Sequence, residues 1–347
     1  MKILSQGERL RKSQESHESS AWSGEKWIDR KIVAEKIAVK LSHLVNKDKA
    51  YKGRAERMAG CGHHIQTMSC PDGHHHRVVR AVLCKDRLCP ICGWRRAGAL
   101  AARTRVIMQT IGGRYLLLTL TVPNPQDGEL AKTCRELTQA YGRLMRLPRL
   151  RGVIGGSIRT LEVTRKNKTW HPHIHALLRV EESYFRSALY IDQEEWLNLW
   201  KVAMRRTDIT QVDIRPADIS GATEVAKYVT KTAELNRYTL DQLHELAQAI
   251  KGLRLWSASG CLKISEEDIE AELLEHAGAE HQSTCPECGA VLQKVDHTWM
   301  GQGYKVAPYP VNWPQTNAEM DRARREGRRR RSQIQITYHG SHGTASL

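Results

Sequence analysis

No run in this 347-residue chain approaches the ~18 consecutive apolar residues of a membrane-spanning helix. The first twenty residues, MKILSQGERLRKSQESHESS, have no apolar core of signal-peptide length. The expectation is a cytoplasmic protein without membrane association. Acidic residues are in short supply, with 38 Asp and Glu against 54 Lys and Arg and a formal net charge of +16. Such a balance suits a partner built of phosphates. There is no internal repeat. An even, disulfide-forming set of cysteines is also missing, since the nine present are odd in number and fall mostly in Cys-x-x-Cys or Cys-x4-Cys spacings. Without a secretion signal, those spacings favour metal ligation over disulfides. What the chain does have is 40% hydrophobic content, enough for a core, and a length suited to about two domains.

Five regions follow from the pattern. Residues 1–55 read as a basic helical N-terminal arm or packing helix, with Val33, Ile37, Leu41 and Leu44 at helical spacing. Residues 56–100 form a zinc-ribbon-like module, cysteine- and histidine-rich with few periodic apolar positions, so a metal rather than a core would fix it. Residues 101–235 are expected to form a domain of mixed strands and helices, an α+β fold. Its expected strands are Tyr115–Val122, stopped by Pro123 and Pro125, then the hairpin around RKNK, and TQVDIRP. Residues 236–320 are helical and then less regular, and 321–347 is a basic tail expected to be disordered.

Within the hairpin, TWHPHIHALLRV (169–180) carries His171, His173 and His175 at every second position. Side chains alternate along a strand, so the three imidazoles share one face, a pattern suited to a divalent metal. If the turn centres on Asn167 and Lys168, Glu162 falls opposite His173 and becomes a candidate third ligand. The alternative is a solvent-facing carboxylate paired with Arg159 or Arg165, since one step of register would remove Glu162 from the site. Two imidazoles and a carboxylate leave open positions where Mg2+ or Mn2+, or zinc, would polarise a phosphate oxygen.

A second constellation is GATEVAKYVTKTAEL (221–235). As a helix it buries Ala222, Val225, Ala226, Val229 and Ala233 and sets Glu224, Tyr228 and Lys231 on the opposite flank. A phenol is a weak nucleophile unless a cation favours the phenolate, and Lys231 lies one turn from Tyr228. Together the two segments suggest attack of Tyr228 on a phosphodiester, leaving a 5′-phosphotyrosine and a free 3′-hydroxyl, with Glu224 acting as base in a second transfer. Tyr238 is an alternative nucleophile that lacks the flanking glutamate.

The stretches CKDRLCPICGWRRA, YLLLTLTVPN, TWHPHIHALL and EVAKYVTK, in that order, resemble the rolling-circle plasmid replication initiators of the HUH endonuclease superfamily over about residues 60–235. The resemblance implies a central antiparallel sheet flanked by helices with the histidines on a central strand. It implies metal ligation by His173 and His175 and nucleophilic attack by Tyr228. A glutamate at 224, in place of a second tyrosine, is similar to initiators that end a cycle by hydrolysis. Thr119 and Thr121 match the family's first motif and are assigned to the DNA-binding site. The implied partners are origin DNA, single-stranded or extruded as a hairpin, and a host helicase and polymerase. Rival readings are an HUH transposase or relaxase, and a non-catalytic zinc-ribbon regulator that binds nucleic acid.

For the cysteine cluster, the expected zinc ligands are Cys61, Cys70, Cys89 and Cys92, with Cys84 as the substitute. Arg87, Arg95 and Arg96 beside it are candidate DNA contacts. HQSTCPECGAVLQKVDH offers a weaker second zinc set of His281, Cys285, Cys288 and His297. Histidines 74–76 receive no role.

Overall fold

The computed structural model describes residues 24–166, 168–226, 232–263 and 283–313. Residues 1–23, Asn167, the stretch 227–231 with Tyr228 and Lys231, residues 264–282 with His281, and the tail expected at 321–347 lie outside the described residues. Residues up to Val306 form one compact unit and Ala307–Leu347 another, and both sheets lie in the first.

Among the described residues two helices come first, α1 (Glu25–His43) and α2 (Ala50–Ala59). Trp27, Ala34, Ile37 and Leu41 recur at helical spacing and are buried, so from residue 24 onward the expected arm is a packing helix. Next come the hairpin β1 (His64–Ser69) and β2 (His76–Ala81), then α3 (Pro90–Ile111), which starts with proline at its first position and ends at Gly112 with φ 65°. Trp27 meets Trp94 of α3 edge-on at 5.4 Å.

The larger sheet is built from β3 (Arg114–Leu120), β4 (Gly156–Lys166), β5 (Thr169–Val180), β6 (Val212–Ala217) and β7 (Trp256–Gly260). It is antiparallel in the order β6-β3-β5-β4-β7, which puts β5 at the centre. Between the strands run α4 (Leu130–Leu144), α5 (Gln193–Met204), α6 (Gly221–Val225), α7 (Thr232–Leu235) and α8 (Leu240–Ala249). Asp192 caps α5 through the Glu195 amide, and Thr239 with Gln242 makes a reciprocal capping box on α8. The result is an α+β fold with a central antiparallel sheet flanked by helices, joined to a cysteine-bearing module.

Period-2 alternation splits the sheet into two faces. Leu116, Leu118, Leu120, Leu161, Val163, Ile174, Ala176 and Leu178 belong to the main core, together with residues of α4, α5 and α8. On the opposite face Leu117, Ile158 and Leu177 pack with Ala99, Leu100 and Met108 of α3 and with Ala222, Val225 and Ala226. Pro172 is tolerated in the central strand because β3 pairs β5 only as far as Leu120↔Ile174, so at residue 172 β5 has a partner on one side only.

The smaller sheet has the order β2-β1-β8-β9, with β8 (Gln293–Trp299) and β9 (Tyr304–Val306) supplied from far along the chain. The ribbon is therefore not closed within 56–100. Its hairpin pairs with β8 over six positions, from His64↔Thr298 to Ser69↔Gln293.

Arg87 ties the cysteine-rich segment to the end of α8, its Nη1 donating to the carbonyls of Ile250 (2.8 Å) and Leu253 (2.7 Å). Arg87→Ala should lower stability by about 1–2 kcal/mol, read as a fall in the urea midpoint. The slope of DNA affinity against salt should stay unchanged, whereas loss of a phosphate contact would reduce it by about 1.

Candidate metal centre on the central sheet

Glu162 and His173 are direct cross-strand partners, and Thr160 pairs with His175, so these four side chains share one face of β4 and β5. Glu162 Oε2 lies 3.3 Å from His173 Nε2 and 3.3 Å from His175 Nε2. Donors about 2.1 Å from a common ion would be about 3.0 Å apart at right angles and about 3.4 Å apart at tetrahedral angles, so this spacing fits three ligands of one divalent ion. All three residues are at least nine-tenths buried. Arg159 and Arg165, the alternative partners of Glu162, stand on the other face: Arg159 donates to the Arg254 carbonyl, and Arg165 makes a bidentate pair with Asp127.

The orientation of both imidazoles is fixed from behind. His173 Nδ1 donates to the His171 carbonyl at 3.1 Å, and because a carbonyl only accepts, the neutral ring presents a lone pair at Nε2. His175 Nδ1 meets Thr119 Oγ1 at 3.1 Å, and Thr119 is the β3 residue directly opposite it. Such partners set the tautomer of a metal-ligating histidine. Burial opposes the charge on Glu162, but hydrogen bonds and charges from His173 and His175 outweigh it and hold the carboxyl well below its ordinary value.

His171 stands outside this trio. Its Nδ1 donates to Asn124 Oδ1 at 2.8 Å, and Asn124 Nδ2 donates to Thr169 Oγ1 at 3.0 Å. His171, Asn124, Thr121 and Lys166 help to line a cleft of about 610 Å3 at the open end of the strands. Thr121 Oγ1 donates to the Gln211 carbonyl, and the Trp200 indole donates to the Thr121 carbonyl at 2.8 Å, which anchors the chain as it leaves β3.

α6 lies over the metal-bearing face. Its Ala222 and Val225, with the following Ala226, are buried as the helical stripe requires, and Thr160 Oγ1, beside His175, donates to the Val225 carbonyl at 2.7 Å. Glu224 accepts a 2.9 Å bond from Arg215 Nη2. Tyr228 and Lys231 follow directly and lie outside the described residues. Tyr238 is 5% exposed and packs edge-on against Trp170, and burial, with Glu234 adding to it, pushes its phenol far above the ordinary range. Burial of this kind disfavours the phenolate that a nucleophilic Tyr238 would need.

The thiols fall into two groups. Cys61, Cys84, Cys89 and Cys92 converge, with Sγ–Sγ separations of 3.5 Å (Cys89–Cys61), 3.6 Å (Cys61–Cys92) and 3.7 Å (Cys84–Cys92). A disulfide needs about 2.05 Å, whereas thiolates about 2.3 Å from one zinc stand about 3.8 Å apart. Amides of Cys84, Lys85 and Asp86 donate to these sulfurs, and hydrogen bonds from Cys61, Cys84 and Cys89 lower the Cys92 thiol well below its ordinary value. The expected set is corrected in one member. Cys84 takes the fourth place, and Cys70, beyond the far end of β1, joins His74, Cys285 and Cys288. His297 does not join that second group, because its Nε2 is bonded to Thr67 Oγ1 at 2.9 Å, and His281 lies outside the described residues. His74, given no role from sequence, had one available signal: it is four residues beyond Cys70 across a glycine turn, a chelating Cys-x3-His interval.

The arginines beside the cluster are occupied by the fold. Arg96 Nη2 donates to the Lys85 carbonyl at 2.8 Å, Arg95 sits over the Trp27 ring at 5.9 Å, and Arg87 is held as described above.

Fold and site together define an α+β protein with a buried carboxylate–imidazole centre able to hold a divalent ion and a separate thiol-rich module. Comparison with known proteins agrees with that class. The family model described as replication protein matches residues 75–304. Protein rep of Streptococcus pneumoniae serotype 2 is 35% identical over 225 residues, 60% of this chain and 69% of that protein. Protein rep of Lactiplantibacillus plantarum is 30% identical over 278 residues, 74% and 85% respectively. A replication protein of Staphylococcus aureus is 35% identical over 175 residues, 46% and 74%. No solved structure matches. The chain belongs to the replication-protein family. Among the described residues, no helix is long and apolar enough to cross a membrane.

Thr119→Val keeps the shape of the strand but removes the oxygen behind His175. Mn2+ affinity, followed by paramagnetic resonance of the free ion, should fall about 10-fold or more with an unchanged far-UV spectrum.

Proposed function

We propose that this protein initiates plasmid rolling-circle replication by nicking one strand of origin DNA through Tyr228, as an HUH-type endonuclease. The observation that carries the reading is the convergence of Glu162, His173 and His175 within hydrogen-bond range of one another, on the sheet face covered by the helix that leads into Tyr228. Tyr228 is the third residue after Val225, whose carbonyl is bonded beside His175. An extended chain of that length spans at most about 10 Å, a tether short enough for the phenol to meet a phosphate held at the centre.

Glu162, His173 and His175 would hold Mg2+ or Mn2+, which supplies a Lewis acid for a non-bridging phosphate oxygen. Tyr228 Oη forms the bond to phosphorus while the P–O3′ bond breaks. The phenol proton leaves to solvent or a neighbouring base, and the departing 3′ oxygen gains a proton to become the primer hydroxyl. Lys231 favours the phenolate. Glu224, steadied by Arg215, takes the proton of the water or hydroxyl that attacks the phosphotyrosine when a cycle ends. His171, Thr121 and Asn124 border the cleft where the strand would approach the ion, and Thr119 acts behind His175. The Cys61, Cys84, Cys89 and Cys92 cluster would hold structural Zn2+ and brace the fold. The substrate is single-stranded or hairpin origin DNA, met in the cytoplasm, with a host helicase and polymerase extending the free 3′ end. The net charge of +16 supplies salt-sensitive affinity for it.

Purified protein mixed with Mn2+ and single strands tiled across its replicon should yield an adduct that survives denaturation. Tyr228→Phe should abolish it, Tyr238→Phe should leave it unchanged, and Glu224→Ala should retain the first nick but lose hydrolytic release by roughly 100-fold or more. Salt-sensitive binding with no adduct on any strand would sink the nicking reading in favour of a nucleic-acid-binding regulator.

A further inference from the structure

We infer that Cys70, His74, Cys285 and Cys288 form a second closed Zn2+ site, which clasps the distant strand pair β8–β9 onto the hairpin β1–β2. The inference is independent of the nicking chemistry.

One ligand atom from each of the four residues lies within 4.8 Å of every other. Cys70 Sγ and Cys288 Sγ are 3.5 Å apart, too far for a disulfide and close to the edge of a zinc–thiolate tetrahedron. Each half of the site is a tight turn. After β1, the Gly73 amide donates to the Cys70 carbonyl at 3.0 Å and the Cys70 amide donates to the His75 carbonyl at 2.8 Å. Gly73 has φ 77°, a conformation that favours glycine, and this reversal brings His74 back over Cys70. In the other half, the Gly289 amide donates to the Cys285 carbonyl at 2.9 Å and the Cys285 amide to the Ala290 carbonyl at 2.7 Å, with Gly289 at φ 75°. That turn makes Cys-Pro-Glu-Cys a knuckle with both sulfurs on one side.

Apolar packing cannot hold this end of the sheet. The local core consists of Cys70, Cys285 and Leu292, with Met68 and Ala290 partly buried against it. The two halves of the site are 218 residues apart in sequence, from Cys70 to Cys288, so their meeting carries a large closure entropy with little burial to offset it. A four-ligand metal site supplies what the core lacks, as in small metallo-domains whose folding is metal binding. Four protein ligands fill the tetrahedron and leave no position for substrate, so the role is structural. Asp72 stands 3.6 Å from Cys288 Sγ as a neighbouring acceptor outside the four. β1 thus carries a thiol cluster at each end, Cys61 before it and Cys70 after it, and the two sites pin both ends of the seam between β1 and β8.

The test is zinc content of the full-length protein, released into a chromophoric chelator and counted in a Glu162→Ala background so that the central site does not contribute. Two equivalents per chain are expected. Cys61→Ser should remove one equivalent, and the pair Cys285→Ser with Cys288→Ser should remove a different one. With Glu162 retained, that pair should also speed proteolytic cleavage within 283–306 while sparing Mn2+ binding at the central site. His74→Cys, a substitution at an exposed position, should keep both equivalents and change the visible spectrum of the Co2+-reconstituted protein from mixed Cys and His ligation toward all-thiolate. A total of one equivalent that disappears with Cys61→Ser overturns the proposal. So does retention of two equivalents in the Cys285/Cys288 variant, or a Co2+ spectrum indifferent to His74→Cys.

Discussion

The register between β4 and β5 is the constraint on which the site depends. The two strands pair without interruption from Gly156↔Arg179 to Lys166↔Thr169, and the side-chain period of two assigns every residue to a face. One face puts Leu161, Val163, Ile174 and Ala176 into the main core. The other puts Glu162, His173 and His175 together. A slip of one residue would drive an ionised carboxylate and two imidazoles into the core beside Trp196 and Trp200 and turn the leucines and isoleucine outward. Burial of the apolar face and assembly of the metal centre are therefore one event. The core residues need have no contact with the ion to determine where it binds.

From this hairpin the rest of the site is set by short links. Thr119 reaches His175 because β3 pairs β5 at that position, and Asp213 of β6 comes next in the same row because β6 pairs β3 there. Thr160 converts a strand position into a helix position by holding the Val225 carbonyl. Trp200 and Gln211 hold the chain leaving β3, so Asn124 can meet His171. Each link is one hydrogen bond between a side chain and a backbone or partner group, worth little alone. Their effect is positional: they bring ligands, cleft and the helix before Tyr228 to one face of a sheet whose opposite side supplies the stability.

How far this was legible in the sequence follows from the range of each interaction. The hairpin, the shared face of the histidines and the partnership of Glu162 with His173 depend only on a period of two and a short turn, both local. The cysteine sets do not. Cys84 stands 5 residues before the CPIC knuckle and Cys70 stands 19 before it, and which one closes the tetrahedron depends on β1, whose six residues carry Cys70 to the far end of the sheet. His74 and His297 changed places for the same reason: β8 directs His297 to Thr67, while the glycine turn at Gly73 brings His74 to the thiols. Arg87, Arg95 and Arg96 look like phosphate contacts in sequence because charge is visible there. The carbonyls and indole ring that occupy them come from α8, the 84–86 loop and α1, and these are not visible. Burial counts against Tyr238 as a nucleophile, and a count of neighbouring glutamates cannot reveal it.

The central site also has an electrostatic logic of its own. With its Nδ1–H given to the His171 carbonyl, a neutral His173 aims a lone pair at a carboxylate oxygen 3.3 Å away, while His175, whose Nδ1 meets a hydroxyl that can donate or accept, offers that oxygen a lone pair or an N–H. The His173 contact is repulsive unless positive charge lies between the two atoms, as a proton on the imidazole or as a divalent cation. The surrounding fold fixes the three groups in place and so keeps them from moving apart to relieve the repulsion. A divalent ion at the centre would take the place of any hydrogen held between the Nε2 atoms and the Glu162 oxygen. A centre of this kind is held together by the charge it is built to receive, while the strand register and the bonds behind the rings hold its shape.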